Sequence, residues 1–457
     1  MTANDLVTTA ANDLLRRIGP PQVHTAFSPK TAPRIWNAAV KHRPAVVVRA
    51  RAARGVQEAI RVARECALPL SVLGGGHDWA GRALCDGGLL IDMSRMRGVT
   101  VDASARVATV GGGATAADVV AAAARHGLVA AAGNMGVVGM AGLTLGGGYG
   151  PLNGRFGLAL DNLLSAEVVL ADGRIVIADA TREPELFWAL RGGGGNFGVV
   201  TSMRVRLHPV HTLIGGLIVF PWSQAAAVWR GLRAVLATAP DELTVQSGLL
   251  PGADGQPNFF LAPAWSGDLA AGERAVDVLA KLGKPLATQL ARMTYVEMLG
   301  LFDAHVVDGM HWAVRTRTLP EFTPEIIDAL VEAGRTRTSP RTLMPIHHCH
   351  GASTRIRSDE TAFATRREHF MVEIVAGWPP GDGTAHRAWA DAVSAALAPY
   401  ALPGGYQNLL GPEDHEQIAN AYGDNAIRLL AAKRHYDPDG VFTAIPLPQQ
   451  TGHKNAI

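Results

Sequence analysis

The sequence predicts an α+β protein of two contrasting textures, and three observations carry that reading. A strand, a helix and a second strand follow one another within about thirty residues, 44–73, which makes a βαβ unit. Much of the high glycine content, 51 residues in a chain of 457, then falls between Gly74 and Gly198. After His208-Pro209 glycine thins, and strand-like and helix-like segments follow as in a second α+β domain with its own sheet. Glycine costs backbone entropy in regular structure, so such density points to backbone wrapped closely around a large ligand.

The totals narrow the function classes. Hydrophobic residues make up 48% and charged residues 18%, the balance of a folded chain rather than a disordered one. A net charge of +2 with interspersed signs argues against nucleic acid as a partner. Cys66, Cys85 and Cys349 are too few and scattered for a disulfide framework and fit a reducing compartment. No basic leader precedes an apolar core at the N-terminus, and no run reaches the roughly 18 apolar residues of a membrane span. The expectation is a soluble, cytoplasmic protein with a small-molecule substrate and no membrane partner. Its oligomeric state is left open.

In order, residues 12–15 belong to a short helix that Gly19-Pro20-Pro21 ends. Residues 44–50 are a buried strand by their β-branched run, 56–66 repeat apolar residues at helical spacing, and 70–73 are the next strand. Strands follow at 88–92, 99–101 and 106–110, and Thr115 caps a helix that His126-Gly127 closes. The stretch from Gly133 to Gly150 has too many glycines for a stable helix and too few polar residues for a solvent loop. It reads as an irregular, buried ligand-binding wall. Residues 163–170 and 175–177 form a hairpin across Asp172-Gly173. A short helix at 184–190 and a strand at 199–207 complete this part. Beyond it, strands are expected at 216–220, 245–250, 259–262, 347–350 and 371–376. Helices are expected at 224–237, 270–282, 324–333, 387–398 and 427–435.

The chemistry concentrates at Val72-Leu73-Gly74-Gly75-Gly76-His77-Asp78-Trp79. This loop lies at the carboxyl end of the second strand of the βαβ unit, where open α/β sheets place ligands. Glycines there let the loop lie against a ligand at close range, and His77 is sited to touch whatever the loop cradles. Gly193, Gly195 and Gly198 formally match G-x-G-x-x-G, but a helix precedes them and a strand follows, the reverse of the dinucleotide fingerprint.

The glycine-rich segments, in this order and ended by the tail Tyr436-Asp437-Pro438-Asp439-Gly440-Val441-Phe442, resemble a known family. It is the vanillyl-alcohol oxidase/p-cresol methylhydroxylase superfamily of flavoproteins, and the match is best to its berberine bridge enzyme-like FAD-linked oxidases. The resemblance covers residues 44–207 and 406–442 and is weak between them. It implies a two-part FAD-binding domain of the p-cresol methylhydroxylase type, 1–208 with a C-terminal return at 405–457, and an inserted α+β substrate-binding domain at 209–404. Gly74, Gly75, Gly76 and Asp78, led by Leu73, resemble the pyrophosphate loop. His77 resembles the histidine bonded to the isoalloxazine 8α-methyl group. Gly133, Val138, Gly139, Gly142, Leu145, Gly146 and Gly148 resemble the segment lining the flavin, and Gly198, Val199 and Val200 the segment near the adenine. Asn408 resembles the asparagine of a returning Tyr-x-Asn motif.

Two departures refine what the resemblance implies. Where many relatives carry a cysteine that attaches the flavin a second time, this chain has Met135, and a thioether cannot form that bond. A single covalent link through His77 is therefore expected. Where many alcohol-oxidising relatives place a tyrosine base after the asparagine, this chain has Leu409. Another residue must take the proton, or the substrate is an amine whose lone pair is already free.

Candidate bases come from the middle of the chain. His347-His348-Cys349-His350 invites a metal reading, but on a strand His348 and His350 share one face and His347 and Cys349 the other. Too few ligands converge for zinc, and no metal is expected. The expectation is that His348 or His350 covers the flavin ring as a proton acceptor, with Glu373 on the later strand a further candidate. Tyr149 and Tyr406 are candidates for hydrogen bonding to substrate or for packing. His305, His311 and Arg315 fall in a segment that periodicity does not place, and Arg366-Arg367-Glu368 reads as a solvated helix face. The function implied is an FAD-dependent oxidase passing a hydride from an alcohol or amine to flavin N5 and electrons to dioxygen. By resemblance, the small Val138 permits oxygen beside the flavin. The alternatives are a dehydrogenase with another electron acceptor and a flavin-binding protein without turnover.

Overall fold

Aliphatic runs buried on both faces build the first sheet of the computed structural model, which describes residues 2–25, 32–305 and 307–449. The sheet contains β1 (Val23–His24), β2 (Val46–Arg49), β3 (Leu70–Leu73) and β4 (Leu89–Asp92) in the order β1-β2-β4-β3. The last three run parallel. Helix α1 (Ala3–Ile18) and helix α2 (Ala53–Glu65) cover it, and Ala10 and Leu14 share one apolar core with Val56, Ala59 and Ile60. The first helix is longer than its apolar pattern predicts. Thr2 and Asp5 form a capping box that starts it, and Gly19 at φ +83° ends it.

The second sheet is antiparallel. Its strands are β5 (Val99–Asp102), β6 (Val107–Gly111), β7 (Leu128–Ala130), β8 (Leu163–Val169), β9 (Ile175–Ala178) and β10 (Val199–Pro209). The order is β5-β6-β10-β8-β9, with β7 also on β10. Helix α3 (Ala116–Ala124) starts at Thr115, whose hydroxyl closes a capping box with Asp118. The expectation of a wholly irregular wall at 133–150 needs correction, because helix α4 (Met140–Gly146) lies inside it. Burial of Met140, Thr144 and Leu145 holds this seven-residue helix despite its glycines.

The third sheet, also antiparallel, holds β11 (Leu213–Pro221), β12 (Leu243–Pro251), β13 (Pro257–Trp265), β14 (Ala287–Met293), β15 (His311–Leu319), β16 (Met344–Cys349) and β17 (His369–Trp378). Its order is β14-β11-β13-β12-β16-β17-β15. β14 and β15 escaped the sequence reading, and β15 carries His311 and Arg315. Helices Ala225–Leu236, Pro324–Arg335 and Thr384–Leu397 bury Trp229, Leu330 and Trp389 against one face, where they meet Ile346, Val372 and Ile374. The opposite face is left for the site.

After Tyr406 the chain runs back along the glycine-rich part. Lys433, on helix Ala426–Tyr436, donates to the carbonyls of Asn196 (2.8 Å) and Phe442 (2.7 Å). The Asn196 side chain in turn accepts from the Ala444 amide at 2.8 Å. Residues 366–368 are not helical, and although Arg367 and Glu368 are exposed as expected, Arg366 is not. Arg366 is buried and donates to both carboxylate oxygens of Asp161 at 3.0 and 2.8 Å. Among the described residues, no helix is long and apolar enough to cross a membrane.

Candidate active site

A cavity of about 390 Å³ lies where the glycine-rich segments, the returning C-terminal segment and the open face of the third sheet meet. β3 delivers residues 74–78 to its rim. Gly75 and Gly139 touch backbone to backbone: a Cβ on Gly75 would stand 2.2 Å from the Gly139 nitrogen. Gly76 adopts φ +70°, and its carbonyl accepts from the Trp36 amide at 2.8 Å. Among the described residues, no carbonyl or side chain accepts from the amides of Gly74, Gly75 and Gly76. Unpaired amides on a concave loop are an anion-binding arrangement.

His77 lines the cavity, and its Nε2 is buried without a partner among the described residues. Burial lowers its pKa, so the imidazole is neutral at neutral pH and keeps a free lone pair. Asp78 also lines the cavity but is engaged with Arg82, whose Nε donates to Oδ1 at 2.9 Å. Arg82 continues to the carbonyls of Asn408 (3.3 Å) and Leu410 (3.1 Å), tying the loop to the returning segment.

Gly133, Val138, Gly139, Gly142, Leu145, Gly198, Val199, Val200 and Asn408 all line the cavity. Leu73, Gly146 and Gly148 do not. Leu73 packs with Val47 and Leu90 beneath the loop. Gly146 makes room for Asn408, whose Oδ1 would lie 2.1 Å from a Cβ there. The Gly148 amide donates to the Tyr406 hydroxyl at 3.0 Å, and Asn408 Nδ2 donates to the same oxygen at 3.0 Å. Met135 and Leu409, the two departures from the family pattern, both face the cavity.

The sheet supplies the other wall through alternate residues: Gln246 on β12, His347 on β16, and Met371, Glu373 and Val375 on β17. His347 Nε2 lies 2.9 Å from Glu373 Oε1, and Asn134 Nδ2 lies 3.1 Å from His347 Nδ1. Gln246 Nε2 also stands 3.3 Å from His347 Nε2, but the Glu373 carboxylate, which only accepts, is nearer and takes the Nε2 hydrogen, while Nδ1 accepts from Asn134. His348 and His350, the expected bases, are on the other side. His348 Nε2 meets Glu368 at 3.0 Å and its ring stacks on Phe370 at 4.9 Å and on His350 at 4.2 Å. His350 reaches Thr244 at 3.2 Å, and burial pushes its pKa down to about 3. The strand alternates as its sequence predicts, but His347, rather than His348 and His350, faces the cavity. Nothing within the strand marks which face is which. The pairing His347↔Met371 with β17 is what decides it.

Tyr149 lines the cavity with its hydroxyl 2.8 Å from His369 Nε2. His369 Nδ1 lies 2.7 Å from the Arg367 carbonyl and must donate to it, so Nε2 accepts the Tyr149 hydrogen. Burial lowers the His369 pKa to about 4 and raises that of Tyr406 to about 12, which keeps both neutral at neutral pH.

An FAD-binding domain model matches residues 44–179, the segment that forms most of the glycine wall. Over 434 residues the chain is 30% identical to an FAD-linked oxidoreductase of Gibberella zeae, covering 92% of this chain and 84% of that one. The chain belongs to the FAD-linked oxidoreductases. It is also 30% identical over 433 residues to (R)-6-hydroxynicotine oxidase of Paenarthrobacter nicotinovorans, covering 89% and 92% of the two chains. Among solved structures, the berberine bridge enzyme-like protein 1 of Physcomitrella patens has the same fold, with a TM-score of 0.85 at 22% identity over the full length of both chains. The cavity of this FAD-linked oxidoreductase fits the cofactor. Among the described residues it offers amides at 74–76 that nothing accepts from, a backbone-to-backbone approach of Gly75 and Gly139 that leaves no room for a Cβ, and an orphaned imidazole nitrogen.

Proposed function

We propose that this FAD-linked oxidoreductase is an oxidase of small amines or alcohols, amines foremost, with dioxygen as electron acceptor and hydrogen peroxide as product. In this reading residues 1–208 and 405–457 are the FAD-binding domain and 209–404 the substrate-binding domain. Bound FAD would supply the two-electron acceptor, with N5 receiving the hydride. Gly74, Gly75 and Gly76 hold the diphosphate. His77 is the single covalent tether, since Met135 cannot serve as a second. Asn408, fixed by Tyr406, closes the flavin side.

The observation that carries the reading is the His347–Glu373 pair on the sheet, across the cavity from His77. An ammonium substrate must lose a proton before its carbon can give up a hydride. Glu373 accepts that proton, and His347 orients the carboxylate through its Nε2 hydrogen. Leu409 takes no part in proton transfer.

An anaerobic screen of secondary and tertiary amines against alcohols tests this, read as bleaching of the yellow chromophore and followed by peroxide yield under air. Bleaching by amines with stoichiometric peroxide supports an amine oxidase. Bleaching without peroxide makes the chain a dehydrogenase. A chromophore that no reductant of either class bleaches makes it a flavin carrier without turnover.

A further inference from the structure

Behind His77 lies a feature that neither the glycine loop nor the Glu373 pair uses. The Trp36 ring stacks on the His77 imidazole with centroids 4.6 Å apart and planes 11° from parallel. On its other face Trp36 stacks on Trp312 of β15 at 4.7 Å and 17°. Three rings thus run from the sheet to the flavin loop. Neither indole N–H has a partner among the described residues, so ring stacking rather than hydrogen bonding sets their planes.

The backbone around Trp36 is pinned at both ends. Its amide donates to the Gly76 carbonyl at 2.8 Å, one residue before His77. The next residue, Asn37, is buried and donates to the carbonyls of Trp79 (2.7 Å) and Trp312 (2.9 Å), while its Oδ1 accepts from the Trp312 amide at 3.0 Å. One short segment therefore joins the chain on either side of His77 to β15.

We propose that Trp36 is a positioning residue for flavin attachment, holding the His77 imidazole edge-on to the cavity against the Trp312-backed stack. This rests on the reading that His77 is the covalent tether. A histidine ring turns easily about its outer torsion, whose wells are broad. A second ring against one face stops that turning and leaves the ring edge, with its unpartnered Nε2, toward the cavity. Attachment joins one imidazole nitrogen to the 8α carbon of the flavin. One hydrogen leaves the methyl group and one leaves the imidazole, and these two protons with two electrons reduce dioxygen to hydrogen peroxide. The bond requires an in-line approach, and loss of alignment costs rate in proportion to the time the ring spends elsewhere.

The test uses full-length protein produced in a riboflavin-starved host and then given FAD. Covalent incorporation is followed by in-gel flavin fluorescence after denaturation, and reversible FAD binding is measured separately by fluorescence quenching. Trp36→Leu keeps apolar volume without a ring and should slow covalent incorporation about tenfold or more, with reversible binding changed less than about threefold. Trp36→Phe restores a ring and should incorporate within about threefold of the wild type. Incorporation by Trp36→Leu at the wild-type rate overturns the proposal, as does a Trp36→Phe defect equal to that of Trp36→Leu. A wild type that binds FAD but never retains it after denaturation removes the tether reading itself, and the positioning role with it.

Discussion

The glycine wall and the seven-stranded sheet face each other across one cavity and work by opposite means. The wall acts through side chains it does not have: Gly75 lies against Gly139, Gly146 admits Asn408, and among the described residues nothing accepts from the amides of 74–76. The sheet acts through side chains that project, with His347 and Glu373 brought to 2.9 Å by the pairing of β16 with β17. A backbone surface is specified residue by residue at the points of closest approach, as where Gly75 meets Gly139 and Gly146 meets Asn408. A side-chain surface needs only the right register, and a slip of one residue exchanges its two faces. On the proposed function, cofactor binding can therefore be held constant on the wall while the sheet is altered for substrate.

That division predicts separable effects. The largest is expected at Glu373. Glu373→Gln should lower kcat/KM for an amine by about 100- to 1000-fold while flavin content stays at the wild-type level, measured by steady-state kinetics and absorbance. Loss of flavin together with activity would show that the two walls are not independent. On the wall, Gly75→Ala forces a Cβ into the Gly139 backbone. Overpacking of this kind costs about 1–3 kcal/mol, which should appear as weaker FAD binding by roughly tenfold or more, with the sheet's thermal signature unchanged.

The same contrast explains what the sequence shows and what it hides. The loop at 74–78, the Thr115 cap and the Asp172-Gly173 hairpin are local devices, legible because each residue type answers a local need. The face of β16 was not legible, since it depends on partners more than twenty residues away. β15 was missed because its burial comes from α-helical and strand neighbours outside its own run. Arg366 read as solvent-facing because its partner Asp161 lies far back in the chain. The helix Met140–Gly146 was hidden by glycines whose cost is offset by burial.

Smaller effects sharpen the assignment of faces. His348→Asn and His350→Asn should each change kcat/KM by no more than about threefold, because both rings point away from the cavity. A loss at either position comparable to Glu373→Gln would restore the face first expected. The pH dependence of stability reports burial of histidines outside the proton-transfer pair. Burial holds His350 at about 3 and His369 at about 4, with His208 on β10 also near 4. The unfolded chain takes up these protons near pH 6.5, so between about 6.5 and 4 it binds more protons than the folded chain. Stability is therefore complete above pH 6.5 and falls as the pH drops through that window. A His369→Gln variant should show a shallower decline in thermal midpoint.

The most direct test of the account is the fate of the chromophore when the purified protein is precipitated in acid. The account predicts that the colour of the wild type stays with the precipitate and that the flavin-bearing peptide maps to His77, while His77→Ala binds FAD and releases it to the supernatant. Colour released entirely from the wild type, or a flavin peptide that maps to another residue, would contradict it.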